Sequence, residues 1–374
     1  MKRVRVYHDL VSLPESYKKL FGIHRQENSF FLSYAWFDNL IQNSLSIDHV
    51  MRFFVLEDES DGTASALALM CYSSSRQRWY TLRKLIAASN YYTSLFHLIQ
   101  DDCEPDSNGN INRLTRGLIE DASQWDCIDL HPMAVDSLQF ASIQCAFKDA
   151  GALTQTYFCF GNWYLKLEGR NFQEYFKSVP SRLRNTIDRK SRQLEKSHGL
   201  QMTIVQTEAE LELAAAAYEH VYTSSWKQSE AHPHFILGLM QVCAREGWLR
   251  LGIAYVDNKP VAAQLWMVHR GIASIYKLAY DENFSKFSIG SILTAHIMRH
   301  VIDVDLVDEV DYLTGDDDYK KDWMSHRRER WGIVAFNQAT LKGKLAGFWH
   351  LGRQALKRSL INLRLLLKEF SKQQ

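Results

Sequence analysis

No Cys-x-x-C pair occurs in these 374 residues, and Cys71, Cys103, Cys127, Cys145, Cys159 and Cys243 are scattered along the chain. That pattern argues against a zinc site and against a disulfide framework, and it fits a reducing cytosol. No apolar run approaches the ~20 residues needed to cross a bilayer, and residues 1–9 lack the apolar stretch of a secretion signal. A cytoplasmic chain without spanning segments is expected. Net charge is scarce too: 44 Lys+Arg face 43 Asp+Glu, a formal charge of +1. There is thus no global electrostatic case for nucleic acid. Gly-x-Ser-x-Gly is absent, which removes the nucleophile-elbow form of Ser/His/Asp catalysis. His232 and His234 flank Pro233 with no third ligand at a helpful spacing, so no metal is expected.

What the chain does have is apolar residue at 46% and aromatic residue at 12%, enough for large cores, and a length that suggests two or three domains. The most informative stretch is 247–331. Residues 249–256 alternate, Asp257-Asn258-Lys259 reads as a turn, 261–269 as a strand, Arg270-Gly271 as a second turn, and 272–280 as a third strand. This is an antiparallel meander. A helix over 290–303 follows, and residues 309–313 form a strand whose simplest partner is the third strand, reached by a crossover. A crossover helix that opens beside a strand end presents unpaired N–H groups and the positive end of its dipole, which suits phosphate.

The first half follows the same element order. A helix over 33–43, a hairpin from 51–56 and 64–72, a polar connection over 104–112, a helix over 112–123, a strand over 127–130, a helix over 135–150 and a strand over 156–160 make an α/β unit. No residue-level repeat accompanies this shared order. The division expected is 1–160 for the first unit, 161–340 for a second, catalytic unit, and 341–374 for a helical tail.

In this order the second half resembles the acyl-CoA N-acyltransferase (GNAT) fold. More closely, residues 163–331 resemble the acetyltransferase domain of bacterial cellulose and exopolysaccharide biosynthesis, a relative of the FemABX peptidyltransferases. The Arg-rich helix at 182–194, Trp226, the meander, Ser288-Ile289-Gly290, Gly315-Asp316 and Tyr319-Lys320 carry the resemblance. It implies an α/β fold of tandem GNAT-like units with mixed sheets, the first unit lacking the donor site. It also implies acyl transfer, with acetyl-CoA or another acyl-CoA as donor and an amino sugar or lipid-linked sugar as acceptor. Lys286, Ser288, Gly290, Ser291 and Ile292 would hold the CoA pyrophosphate. The usual loop reads Arg/Gln-x-x-Gly-x-Gly/Ala; here Phe287 and Ile292 depart from it, and Lys286 can supply the charge. An aminoacyl-tRNA donor, as in FemABX enzymes, and a noncatalytic binding role both stay open.

Acyl transfer to an amine needs a proton acceptor, a group that polarises the carbonyl, and a proton for the leaving thiolate. Asp316 is the candidate base or amine-orienting group, against a reading in which Asp316-Asp317-Asp318 is a solvated loop or helix cap. Tyr319 is a candidate proton donor or substrate ligand, against an aromatic packed under its loop. The resemblance places Lys320 near the reacting carbonyl. Arg182, Arg184 and Arg189, on a helix over 182–196, are candidates for an anionic acceptor, and Trp226 for stacking on it; a solvated basic helix and a core Trp are the plainer readings.

From residue 342 onward eight basic residues face Glu369 alone, and Trp349, Leu356, Leu360, Leu363, Leu367 and Phe370 recur at helical spacing. That is a basic amphipathic helix, suited either to an anionic membrane surface, making the protein peripheral there, or to packing against protein.

Overall fold

A computed structural model describes residues 1–23, 29–45, 49–73, 81–100, 106–121 and 125–352. Among these, the strands are β1 (Lys2–Tyr7), β2 (His49–Asp58), β3 (Ala64–Ser73), β4 (Lys84–Ala87), β5 (Ile99–Gln100), β6 (Cys127–Ala134), β7 (Leu153–Lys166), β8 (Leu200–Val205), β9 (Leu249–Val256), β10 (Lys259–His269), β11 (Ile272–Tyr280), β12 (Glu309–Asp311) and β13 (His326–Phe336). The helices are α1 (Glu15–Lys18), α2 (Leu20–Ile23), α3 (Tyr34–Ser44), α4 (Ser107–Glu120), α5 (Leu138–Asp149), α6 (Phe172–Ser178), α7 (Ser181–Ser197), α8 (Glu208–Thr223), α9 (Pro233–Arg245) and α10 (Ile289–Asp303). Residues 341–352 form a further helix, α11.

The meander forms as expected because its turns suit it. Asp257 and Asn258 take φ of 49° and 62°, and Arg270 and Gly271 take 48° and 78°, the left-handed pair that matches strand twist in a two-residue hairpin. Buried Leu251, Ile253, Leu265 and Met267 share one core with α8 and α9, while Ala254, Ala262 and Trp266 share another with α10. Both sheet faces are thus covered.

All thirteen strands join one sheet, in the order β1-β2-β3-β4-β6-β13-β7-β12-β11-β10-β9-β8, with β5 paired to β3. The closing strands of the two halves are exchanged. β13, the last strand of the second half, lies between β6 and β7 of the first; β7 in turn pairs with β12, Tyr164 opposite Asp311. The expected division at 160/161 falls inside β7. Arg328 pins this seam, reaching Glu309 at 2.8 Å, Asp311 at 2.6 Å and Asn162 at 2.6 Å.

One expected connection is corrected. Residues 104–112 read as a polar connection, yet α4 begins at Ser107 and runs through 107–112. Asn110 is fully buried and accepts from the Lys2 ammonium at 3.1 Å, so tertiary contacts override the weak local propensity of Asn-Gly-Asn.

Candidate functional site

β11 and β12 are parallel for only three residues, Ile272↔Glu309 to Ser274↔Asp311. Beyond them the strands part: β11 continues along β10, while the Tyr312 N–H donates to the Trp163 carbonyl of β7 at 2.9 Å. The gap is a cavity of about 280 Å³. Ile275–Leu278 line one side and Tyr312–Thr314 with Asp317, Tyr319 and Lys320 the other. Tyr91, Tyr92 and Ser94 of the first half and Lys227 close it.

Lys320 is 4% exposed and fixes one arm of the gap. Its ammonium donates to the carbonyls of Thr314 at 2.5 Å, Gly315 at 3.3 Å and Tyr312 at 3.5 Å, and lies 3.4 Å from Asp317. Burial lowers its pKa, opposed by the charge of Asp317. Tyr319 stands edge-on to the buried Tyr312 ring, centroids 5.7 Å apart, and burial pushes its phenol up to about 12. The phenol therefore keeps its proton near neutrality.

Asp316 is placed differently from its expected role. Its carboxylate takes a two-pronged bond from Arg327, Nη2–Oδ2 2.7 Å and Nε–Oδ1 3.0 Å, and a third from Trp163 Nε1 at 2.8 Å. Arg327 first, against slight burial and with help from Trp163, holds its pKa below the usual carboxylate range. A carboxylate so satisfied is a poor base, so Asp316 serves to tie the arm to β7 and β13.

Opposite this arm is the start of α10. Ser288 caps it in the left-handed region, φ 53°, without a side-chain bond to the helix. Buried Gln264 donates to the Gly290 carbonyl and to Thr294 Oγ1, both at 2.9 Å, which fixes the first turn on β10. A Cβ at Gly290 would sit 3.2 Å from the Tyr280 ring. Ile292 corrects the expected phosphate set: its N–H already donates to the Ser288 carbonyl at 3.1 Å and its side chain is buried. The turn's outward donors are those of Ile289, Gly290 and Ser291. Lys286 is exposed and stacks on Phe287 at 5.1 Å; Lys190 of α7 lies over the same ring at 5.8 Å. Trp226 is half exposed and packs on Tyr280 at 4.6 Å, which places it between this turn and the cavity.

The arginines of α7 do not reach the cavity. Ile187 and Leu194 are buried in the core that contains α10, which turns the basic face outward. Arg184 folds back to the Val179 carbonyl at 3.0 Å, Arg182 is exposed, and Arg189 lines a separate open groove with Arg192 and Lys196.

Sequence reading missed a second polar group at the cavity. Glu230 accepts from Tyr91 at 2.5 Å, Tyr92 at 2.8 Å and the Lys277 ammonium at 2.6 Å. Burial acts to raise its carboxyl, but Lys277, Tyr91 and Tyr222 outweigh that and hold it at about 2. A lysine inside the apolar run Ile275–Tyr280 was the available signal, since a buried strand carries a charge only with a partner.

Residues 181–321 match the acetyltransferase (GNAT) domain family. This match covers the α7-to-Lys321 stretch that builds both walls of the gap. The chain is similar in fold to FemX, with TM-score 0.59 and 11% identity over 90% of this chain and 98% of that one. It is also similar to the C-terminal domain of a protein named as a lysylphosphatidylglycerol synthetase from Agrobacterium fabrum, with TM-score 0.54 and 14% identity over 90% and 96%. A tandem GNAT protein from the clavulanic acid biosynthesis pathway gives TM-score 0.50 and 8% identity over 89% and 98%. The fold is that of GNAT-type acyltransferases, in tandem. No curated protein matches the chain.

Proposed function

We propose that this protein transfers an acyl group from acyl-CoA to an amine, with an amino sugar of envelope or exopolysaccharide synthesis as the acceptor class. The observation that carries the reading is the gap between β11 and β12 opening beside the uncapped first turn of α10. The pyrophosphate meets the N–H groups of Gly290 and Ser291 beside Lys286, and the thioester enters the gap past Trp226 and Tyr280. The amine nitrogen attacks the thioester carbon, the C–S bond breaks, and the amine loses a proton while the thiolate gains one. Tyr319, protonated and lining the cavity, supplies the thiolate's proton, and the proton lost by the amine restores the Tyr319 phenol, so the site ends as it began. The cations of Lys227 and Lys277 lower the proton affinity of an amine beside them, which favours the free nucleophile.

Calorimetry on the full chain tests the donor, because β13 and β7 interlock the halves and a second-half fragment would lose a sheet neighbour. Acetyl-CoA or a longer acyl-CoA is expected to bind. Gly290→Asp is expected to lower that affinity on the order of 100-fold by setting a carboxylate against phosphate, with Gly290→Ala as the steric control. Equal binding by parent and Gly290→Asp would remove this donor site.

We further propose that α11 lies on an anionic membrane surface. Leu341, Leu345, Phe348 and Trp349 share one face and are 74%, 61%, 66% and 71% exposed. The opposite face carries small residues that rest on the sheet, Gly347 beside Leu153 and Phe336. Residues 353–374, the rest of the expected amphipathic helix, lie outside the described residues. No helix among the described residues is long and apolar enough to cross a membrane. Co-sedimentation with vesicles rich in anionic lipid is expected for the full chain and not for one ending at Gly343. Equal binding to neutral vesicles would overturn it.

A further inference from the structure

Three ammonium groups line the cavity, and two of them are matched. Lys277 is held by Glu230 at 2.6 Å, and Lys320 by Asp317 and three carbonyls. Lys227 is the exception. Its ammonium makes no hydrogen bond and no ion pair with any described residue, and it rests only over the rings of Tyr222 at 5.8 Å and Trp226 at 5.9 Å. It stands on the segment after α8 and faces the cavity together with Tyr91, Tyr92 and Ser94 of the first half.

Those three residues are locked in place. Ser94 and Thr314 hydroxyls lie 2.6 Å apart across the gap, the Tyr276 phenol donates to the Tyr92 carbonyl at 3.2 Å, and the Lys277 ammonium sits 5.4 Å and 5.0 Å from the Tyr91 and Tyr92 ring centres. The far wall from α10 is therefore rigid, aromatic and hydroxyl-bearing. Its nearby carboxylates, Glu230 and Asp317, are already engaged by Lys277 and Lys320. One positive charge is left over, in a half-buried place that costs it hydration.

We infer that Lys227 is an anion-recognition residue, receiving an oxyanion, a phosphate or a carboxylate, carried by the acceptor. This rests on the proposed acyl transfer and names the substrate class for it: an amine that also bears a negative group. Burial first, and then repulsion from Lys277 and more weakly from Lys320, bring the Lys227 pKa down to about 8 against the attraction of Glu230. A bound oxyanion offsets both effects by direct attraction, so binding stabilises the ammonium and takes up protons near that pH. Recognition then falls where Lys227 of the second half meets the wall that Tyr91, Tyr92 and Ser94 of the first half supply.

Competitive acylation of the full chain with acetic anhydride at pH 8, read by peptide mass spectrometry, tests the inference. Millimolar inorganic phosphate or acetate is expected to slow modification of Lys227 about fivefold or more, the effect of an ion at several times its Kd, and to leave exposed Lys177 unchanged. Protection by phosphate and by glucosamine 6-phosphate, but not glucosamine or acetate, assigns a phosphorylated acceptor; protection by acetate alone assigns a carboxylated one. The same protection in Gly290→Asp separates this site from the donor turn, so failure of either reading is visible by itself. Equal Lys227 modification with and without every anion overturns the inference, as does protection that disappears in Gly290→Asp.

Discussion

In the first half, as in the second, a strand pair is parallel for three residues and a crossover helix joins its members: β4 and β6 by α4, β11 and β12 by α10. The two gaps beyond the paired residues have opposite fates. In the first, Ser89 Oγ donates to the His131 carbonyl and the Phe96 N–H to the Pro132 carbonyl, both at 2.6 Å, and Phe96 is fully buried. The gap is filled by its own chain. In the second, Lys320 and the Ser94–Thr314 pair hold the arms apart around a cavity. The helix starts differ likewise. Neither helix has a side-chain cap hydrogen bond, but a Cβ added at Gly109 of α4 would fall on the Asp106 carboxylate, whereas one at Gly290 of α10 would meet the Tyr280 ring. A protein carboxylate sits where a ligand anion would. The same frame thus becomes a filled wall or an open cavity according to a few side chains at two places.

The largest expected effect comes from making the second helix start like the first. Gly290→Asp, described above, brings a carboxylate to the start of α10 as Asp106 does at α4, and is expected to weaken donor binding by the same order of 100-fold while the melting temperature changes little beyond that of Gly290→Ala.

Closing the open gap is the next step. Lys320→Met leaves three carbonyls and Asp317 without their cation, so the arm loosens. Turnover is expected to fall on the order of 100-fold, by analogy with loss of a preorganised donor, and stability by about 1–3 kcal/mol, the cost of unsatisfied buried groups. Thiol-release assays and denaturant melts measure the two. A rate loss without a stability loss would mean that the ammonium acts on the carbonyl rather than on the arm.

The Glu230 cluster joins the second half to Tyr91 and Tyr92 of the first, and it gives the comparison a pH dependence. Its folded pKa, about 2, lies below the ordinary 4.5. The resulting stability is complete above 4.5 and is lost as pH falls from there toward 2. Glu230→Gln is expected to cost about 2 kcal/mol at neutral pH and to flatten the acid limb of the stability curve. An unchanged acid limb in melts from pH 6 to 3 would mean that Glu230 is not the group that couples the halves.

How far this was legible in the sequence follows from range. The meander was legible because alternation and the Asp257-Asn258 and Arg270-Gly271 turns are local signals, and the α10 opening because Ser288-Ile289-Gly290 lies within one turn. The exchange of β7 and β13 was not, since pairing Trp331 with Phe158 or Met133 leaves no mark in either segment. Asp316 looked catalytic among three adjacent carboxylates, and only its contacts with Arg327 and Trp163 reveal a tie. Lys227, Glu230, Lys277 and Tyr91 are up to 186 positions apart, from 91 to 277, and become a group only in space.

The smallest expected effect runs the comparison in reverse. Asp106→Asn removes the charge over α4 without adding a site, because the gap beside β4 stays filled by Phe96 and by the bonds of Ser89. It also breaks the ion pair with Arg113, an exposed contact at 2.6 Å. CoA affinity and turnover are expected to stay within about twofold of the parent, the scale of surface changes away from a site. Titration calorimetry should still count one donor site per chain. A second site appearing in Asp106→Asn would mean that the carboxylate alone, and not the filled gap, keeps the first half from binding donor, and the two helix starts would then differ by a single side chain.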